Sequence, residues 1–309
     1  MLKILINISP LFIIIFIGVL LQKIKKTDES WIKTLNGFAI NLGLPALIFS
    51  SIIKTDFSFS KNINLILVNT VFILGIFLFS HLVGKLMKLN KQNLQTFFIC
   101  LSFSNIAYMG IPVLTQLYGP EIVPEASLIV AIYLLWQFSI GVGYIRFSQE
   151  KENKKVILEI FLKIIKSPLI IAVVLGIIFS SLKVQLPAPL TQSISMIASS
   201  VTPVVLIVIG LFIGSSRLGE FKKWIPVLLF SIVTLLFLPA IFYFSLKLFG
   251  FVPKAFTSSI MMSAMPLAIT PFALAYEFNL NKDFIAKTIV LSTILSIISI
   301  PFWTSLLAG

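Results

Sequence analysis

The sequence predicts an all-α integral membrane protein, on three observations. Of its residues, 58% are apolar and only 11% are charged, where a soluble domain holds about half and a quarter. The mean hydropathy is +1.06. Apolar runs of about 20 residues, the length of a helix that crosses the hydrocarbon core, recur ten times. No soluble core could enclose this much Phe, Ile and Leu, so the partner for most of the surface is the lipid bilayer.

The ten runs lie near 7–24, 33–53, 62–84, 94–118, 124–147, 159–182, 190–214, 223–249, 255–278 and 284–307. The first ends in Lys23, Lys25 and Lys26 with no small-residue cleavage site, and is too long for a signal segment, so it is read as a span. The single cysteine, Cys100, excludes an internal disulfide. The single histidine, His81, excludes a multi-histidine metal site, and no other cofactor is implied.

Net charge is +13. No basic stripe is interleaved with aromatics, so nucleic acid is not the expected partner. The cations instead gather in alternate loops. Of 24 Lys and Arg, 18 lie in or beside the loops after runs one, three, five, seven and nine. Among them are Arg146, Lys151, Lys154, Lys155, Arg217, Lys222, Lys223 and Lys287. By the positive-inside rule those loops are cytoplasmic. Both termini are then expected on the non-cytoplasmic side of the cell membrane.

Prolines recur at a nearly fixed offset: Pro10 with Pro168, Pro45 with Pro203, and Pro112 with Pro271. The run starts shift by similar amounts. Five runs is an odd number, so a repeat of five would be inverted. The expected division is 1–147, a short cytoplasmic linker at 148–158, and 159–309. Inverted repeats are a feature of secondary transporters, whose sites lie at the repeat interface near the midplane.

Runs four and nine carry breakers at their centres: Asn105-Ile-Ala-Tyr-Met-Gly110-Ile111-Pro112 and Met265-Pro266-Leu-Ala-Ile269-Thr270-Pro271. Proline removes a backbone donor and clashes with the carbonyl four residues earlier. Freed backbone groups cannot face lipid. Each break is either a kink or a site. A broken helix exposes N–H groups and a partial positive charge at the start of its second half, which suits an anion. Neither run contains Lys or Arg. An anion there would rest on backbone N–H groups, the Asn105 amide and the Thr270 hydroxyl. The alternative for Asn105 is an interhelical hydrogen bond.

None of the 11 acidic residues lies near a run centre, where sodium or proton carriers place a carboxylate. Glu277, at the end of run nine, is either interfacial or linked to a proton. A membrane enzyme lacks its acid–base groups here: there are no paired aspartates and no HExxH. A channel or a receptor remains open, as does a sodium-coupled organic-anion symporter.

Three stretches resemble the auxin efflux carrier family, which includes bacterial malate and malonate permeases and plant auxin carriers. They are Asn105 to Gly119, Ala264 to Asp283 and, more weakly, Asn41-Leu-Gly-Leu-Pro45-Ala-Leu-Ile-Phe49 with Ser50 beyond it. The resemblance implies ten helices in two inverted five-helix repeats, with helices four and nine crossing at Pro112 and Pro271. It implies a small carboxylate held by the asparagine at 105. It further implies a scaffold of helices one, two, six and seven, an elevator-like motion of helices three to five and eight to ten, and a homodimer through the scaffold. An acidic residue of the plant carriers falls nearest Asn69 here, which carries no charge.

Overall fold

The computed structural model describes residues 2–55, 59–149, 154–216 and 224–308. Lys151, Arg217, Lys222 and Lys223 lie outside the described residues. The described chain is helical: α1 Leu2–Lys23, α2 Glu29–Phe38, α3 Leu44–Ile52, α4 Phe59–Leu86, α5 Lys91–Ser102, α6 Ile111–Tyr118, α7 Val123–Trp136 and α8 Gly143–Gln149. There follow α9 Lys154–Ile165, α10 Pro168–Ser181, α11 Ala188–Ser215, α12 Ile225–Ile232, α13 Leu238–Leu248, α14 Thr257–Ser263, α15 Thr270–Glu277 and α16 Lys282–Ala308. The expected linker at 148–158 is partly helical, since α8 reaches Gln149 and α9 begins at Lys154.

Among the described residues, seven helical segments of 22 to 29 residues are long and apolar enough to cross a membrane. They coincide with seven of the ten apolar runs. The other three runs are interrupted. Run four breaks between α5 and Ile106, and run nine breaks between α14 and α15. Run six was expected as one span over 159–182 but is divided at Ser167, whose ψ of 121° is extended. The cause is Pro168: its ring excludes the helical region for the preceding residue and suits the first position of α10.

Proline also explains three π turns. Ala39–Gly43, Ile106–Gly110 and Val233–Phe237 each begin six residues before a proline, at Pro45, Pro112 and Pro239. A ring that cannot donate and would strike the carbonyl four residues back is accommodated where the helix widens to the next carbonyl. The three helices therefore continue through these prolines. Of the offset pairs, only Pro112 and Pro271 share a local setting, near the first turns of α6 and α15. Pro10 and Pro203 lie inside long helices.

The chain forms two compact units. The first holds the described residues of Met1–Asn64, Ala107–Ala131 and Ile165–Ser215. Its centre is α1 packed on α11 through glycines. A Cβ on Gly210 would stand 2.0 Å from the Ile15 carbonyl oxygen, and one on Gly18 would stand 2.6 Å from that of Ile207. Small residues let the two backbones touch, the usual way for helices to pack in lipid, where no hydrophobic force draws them together. Gly176 admits Ile52 of α3 against α10 in the same manner. At the start of α2, Asp28 caps the Ser30 N–H, and the hydrogen bond from the Ser30 hydroxyl holds its carboxyl below the ordinary value.

The second unit holds the described residues of Leu65–Ile106, Ile132–Ile164 and Ser216–Gly309. Here α16 packs on α12, α14 and α15. Phe72 stacks on Phe242 with ring centres 3.9 Å apart. Asn69 is fully buried and donates to Leu65 O and Ser259 Oγ, both at 2.8 Å, tying α4 to α14.

Candidate functional site: the backbone crossing of two broken helices

The two breaks of the second unit face one another. The α5 segment ends at Ser102 and the α14 segment at Ser263. Beyond them Ser104 and Leu267 form an antiparallel bridge, the one strand-like pairing among the described residues. Asn105 N–H donates to Pro266 O at 2.7 Å, and Ala268 N–H donates to Phe103 O at 2.9 Å. Each break thus supplies partners that the other has lost. Lipid could not, because it offers no hydrogen bonds and an unsatisfied group costs several kcal/mol there.

Side chains complete the strap. The Ser292 hydroxyl of α16 accepts from Leu267 N–H at 3.1 Å. Gln137, which opens a π turn at Gln137–Val142, donates from Nε2 to Ser102 O at 2.7 Å. Such local widenings of a helix gather at functional sites.

The expected site residues divide between the units. Asn105, Pro266, Ile269, Thr270 and Pro271 belong to the second. Asn105 is 4% exposed, and its amide makes no hydrogen bond to a described residue. Pro266 lies in the second break and supplies the carbonyl that Asn105 N–H uses. Ile269 precedes α15 and Thr270 begins it, with an exposed side chain. Pro271 sits in the first turn of α15, where its missing N–H costs nothing.

Gly110, Ile111, Pro112, Asn41, Pro45 and Ser50 belong to the first unit. Gly110 closes a π turn, and Ile111 and Pro112 begin α6, all buried. Tyr108 donates from its hydroxyl to Asn36 Oδ1. Asn41 is exposed and donates to Gly37 O at 2.9 Å. Pro45 follows a π turn, and Ser50 donates to Leu47 O at 3.1 Å. The crossing expected at Pro112 and Pro271 spans both units, and the backbone pairing within the second unit lies upstream of those prolines. The backbones pair at Ser104 and Leu267, eight residues before Pro112 and four before Pro271, and both prolines stand in the first turns of helices.

Glu277 is paired. Arg146 of α8 holds Glu277 through Nη2 and Glu159 of α9 through Nη1, each at 2.9 Å, and lies 5.8 Å from the ring centre of Phe278. Both carboxylates are substantially exposed.

Two residues of this unit were not singled out in the sequence. Lys287 was counted as a loop cation, yet its side chain is 2% exposed inside α16, paired with Asp283 at 2.7 Å. The i,i+4 spacing of Asp283 and Lys287 is the signal that could have found it. Tyr133 is 1% exposed and its hydroxyl has no hydrogen-bond partner among the described residues. Nothing in its run of apolar neighbours marks it.

Comparison with known proteins covers the whole of this architecture. A model of the family described as membrane transport protein matches residues 3–304. An uncharacterised transporter of Methanothermobacter thermautotrophicus is 24% identical over 304 residues, covering 97% of each chain. A putative malonate transporter of Rhizobium meliloti is 24% identical over 303 residues, covering 95% of this chain and 92% of that one. An uncharacterised transporter of Escherichia coli is 23% identical over 308 residues, covering 96% and 95%. Apolar segments long enough to span, two helices that exchange backbone hydrogen bonds where each is broken, and a family match from end to end agree: this chain is a multi-pass transporter, not an enzyme, and belongs to the membrane transport protein family, the auxin efflux carrier family that its sequence resembles.

Proposed function

We propose that the chain is a secondary carrier of small organic anions, with the substrate carboxylate resting at the crossing of the two broken helices. One observation carries the reading. Asn105 is 4% exposed, its amide makes no hydrogen bond to a described residue, and it stands at a break in a segment that has no Lys or Arg. An amide with two N–H donors and no protein partner among the described residues is available to a ligand. A carboxylate would accept from it and from first-turn N–H groups at the start of α15. Held by neutral dipoles, the anion could also leave.

In this reading the ten apolar runs are ten spans in two inverted halves, in the cell membrane, with both termini non-cytoplasmic. The first, second, sixth and seventh runs lie almost wholly in one compact unit, which also takes Ala107–Ala131 of the fourth and fifth; an elevator-like motion of the remaining spans is part of this proposal and rests on the family resemblance. The putative malonate transporter of Rhizobium meliloti makes malonate the first anion to try.

The test is counterflow. Purified protein in liposomes loaded with unlabelled malonate should accumulate external radiolabelled malonate transiently above equilibrium. A channel gives flux without the overshoot and a receptor gives no flux. If a panel of other small carboxylates behaves as malonate does in either failure, the carrier reading falls.

A further inference from the structure

We infer that α9 is an interfacial helix that binds anionic lipid headgroups at the bilayer surface, through an exposed apolar stripe and a neighbouring row of lysines. This surface is independent of the carrier reading. The helix suits neither water nor hydrocarbon.

The apolar stripe excludes water. Within Lys154–Ile165, Leu158 and Phe161 are each 57% exposed, and Leu162 and Ile165 are exposed beside them. Positions 158, 161, 162 and 165 follow the i, i+3, i+4, i+7 spacing of one helix face. Ile164, on another side, is the one buried side chain among those described in α9. Four large apolar side chains in one stripe mark a surface that meets a partner or a membrane.

The charges exclude the hydrocarbon interior. Lys155, Glu159 and Lys163 recur at i, i+4 and i+8, which places them in a row beside the stripe. Lys154 begins the helix, and an exposed Lys166 follows it. Charged groups within the bilayer core are costly. Length agrees. The 12 residues of α9 cover about 18 Å at 1.5 Å each, against a hydrocarbon core of about 30 Å. The extended Ser167 before Pro168 ends the helical ladder, so α9 has no continuous helix to carry it across. An apolar stripe beside a basic row is the arrangement of a helix lying in the interface plane.

The charge balance selects the lipid. Residues 151–166 hold Lys151, Lys154, Lys155, Lys163 and Lys166 against Glu152 and Glu159. Glu159 is engaged by Arg146 Nη1 at 2.9 Å, so its charge is offset within the protein and the lysines are in surplus. Lysines on an amphipathic helix attract anionic headgroups. Arg146 also holds Glu277 at the end of α15, which ties α9 to the second unit. Run six then crosses the bilayer by residues 167–182, with exposed Lys166 and Lys183 at its two ends, as snorkelling residues flank a short span.

The experiment places a fluorophore on the stripe of the full-length protein in nanodiscs. Leu158→Cys offers one reactive thiol, since Cys100 is buried and takes no label. Lipids brominated high on the acyl chain should quench the label more than lipids brominated deep, and iodide should quench it little. Brominated phosphatidylglycerol should quench it in preference to brominated phosphatidylcholine, with a relative binding constant of about fivefold or more, the size of one lysine at an anionic surface. Adding Lys163→Gln and Lys166→Gln should remove that preference without shifting the melting temperature. Should those changes impair folding, salt at about 1 M, which shortens the screening length to about 3 Å, should remove it in the labelled protein alone. Quenching by iodide with none by lipid would show a helix in water. Stronger quenching by deep bromines would show the interior of a span, and quenching by neither would show a protein cover, such as a second copy of the chain. Each of these overturns the inference, as does the absence of a phosphatidylglycerol preference or its survival in both the folded variant and high salt.

Discussion

The backbone N–H of Asn105 donates to the carbonyl of Pro266 at 2.7 Å, across 161 positions of sequence (266 − 105). Two helices broken within apolar runs are mended by each other at this point. The same bond takes the Asn105 backbone out of the helical ladder, and its amide makes no hydrogen bond to a described residue. Structure and proposed chemistry thus share one cause. The break that would be ruinous in lipid is affordable only because its counterpart is within hydrogen-bond reach.

Ser292 anchors that arrangement and should be sensitive. It is fully buried, and its hydroxyl satisfies the Leu267 N–H. Ser292→Ala strands a buried donor, at a cost of about 1–3 kcal/mol. A lowered melting temperature, with faster amide exchange confined to residues 264–268, is the expected result. Thr at the same position should recover most of the loss.

The α1–α11 contact of the first unit should tolerate no side chain at Gly210. A Cβ there would stand 2.0 Å from a backbone oxygen, so the helices themselves would have to separate. Gly210→Leu is expected to destabilise by at least about 1–3 kcal/mol, the usual range for overpacking. The control is Gly37→Ala, where no atom lies within 4 Å of the new Cβ. Thermal melts of the two variants should differ clearly.

Asp283 and Lys287 should respond unequally. Removing the buried ammonium by Lys287→Met fills the same volume with an apolar chain, a change that is often neutral or stabilising. Asp283→Asn leaves that ammonium buried and unpaired. Breaking a buried pair costs up to about 3–5 kcal/mol, and less is expected here because the Asp283 side chain is 58% exposed. A melting temperature that falls in Asp283→Asn but not in Lys287→Met is predicted. Equal losses would contradict this account of the pair.

Much of this fold was legible. Composition fixes the solvent, and run lengths locate the apolar segments to within a few residues. Pro266 sits in the break it predicts. The other break lies at Phe103–Asn105, with no proline in it, because Pro112 is absorbed by a π turn and the helix fails earlier. That failure depends on Pro266 and Ala268 being available to pair, a long-range fact no local pattern carries. Ser167 could have been read from the proline after it, whereas the burial of Lys287 could not be read from a loop-charge count. Of the candidate site, Asn105 was marked by its polarity in an apolar run. That Asn105 N–H reaches Pro266 O, and that its amide has no partner among the described residues, follow from long-range placement that no local pattern carries.

The central claim is that a neutral amide at the crossing, not a charged side chain, receives the substrate carboxylate. Comparing Asn105→Ala with the unmodified protein in malonate counterflow, at matched reconstitution and melting temperature, tests it most directly. The account predicts a loss of at least about tenfold in apparent affinity, the scale of one hydrogen bond to a charged ligand. Unchanged affinity and rate in a variant that folds normally would contradict it.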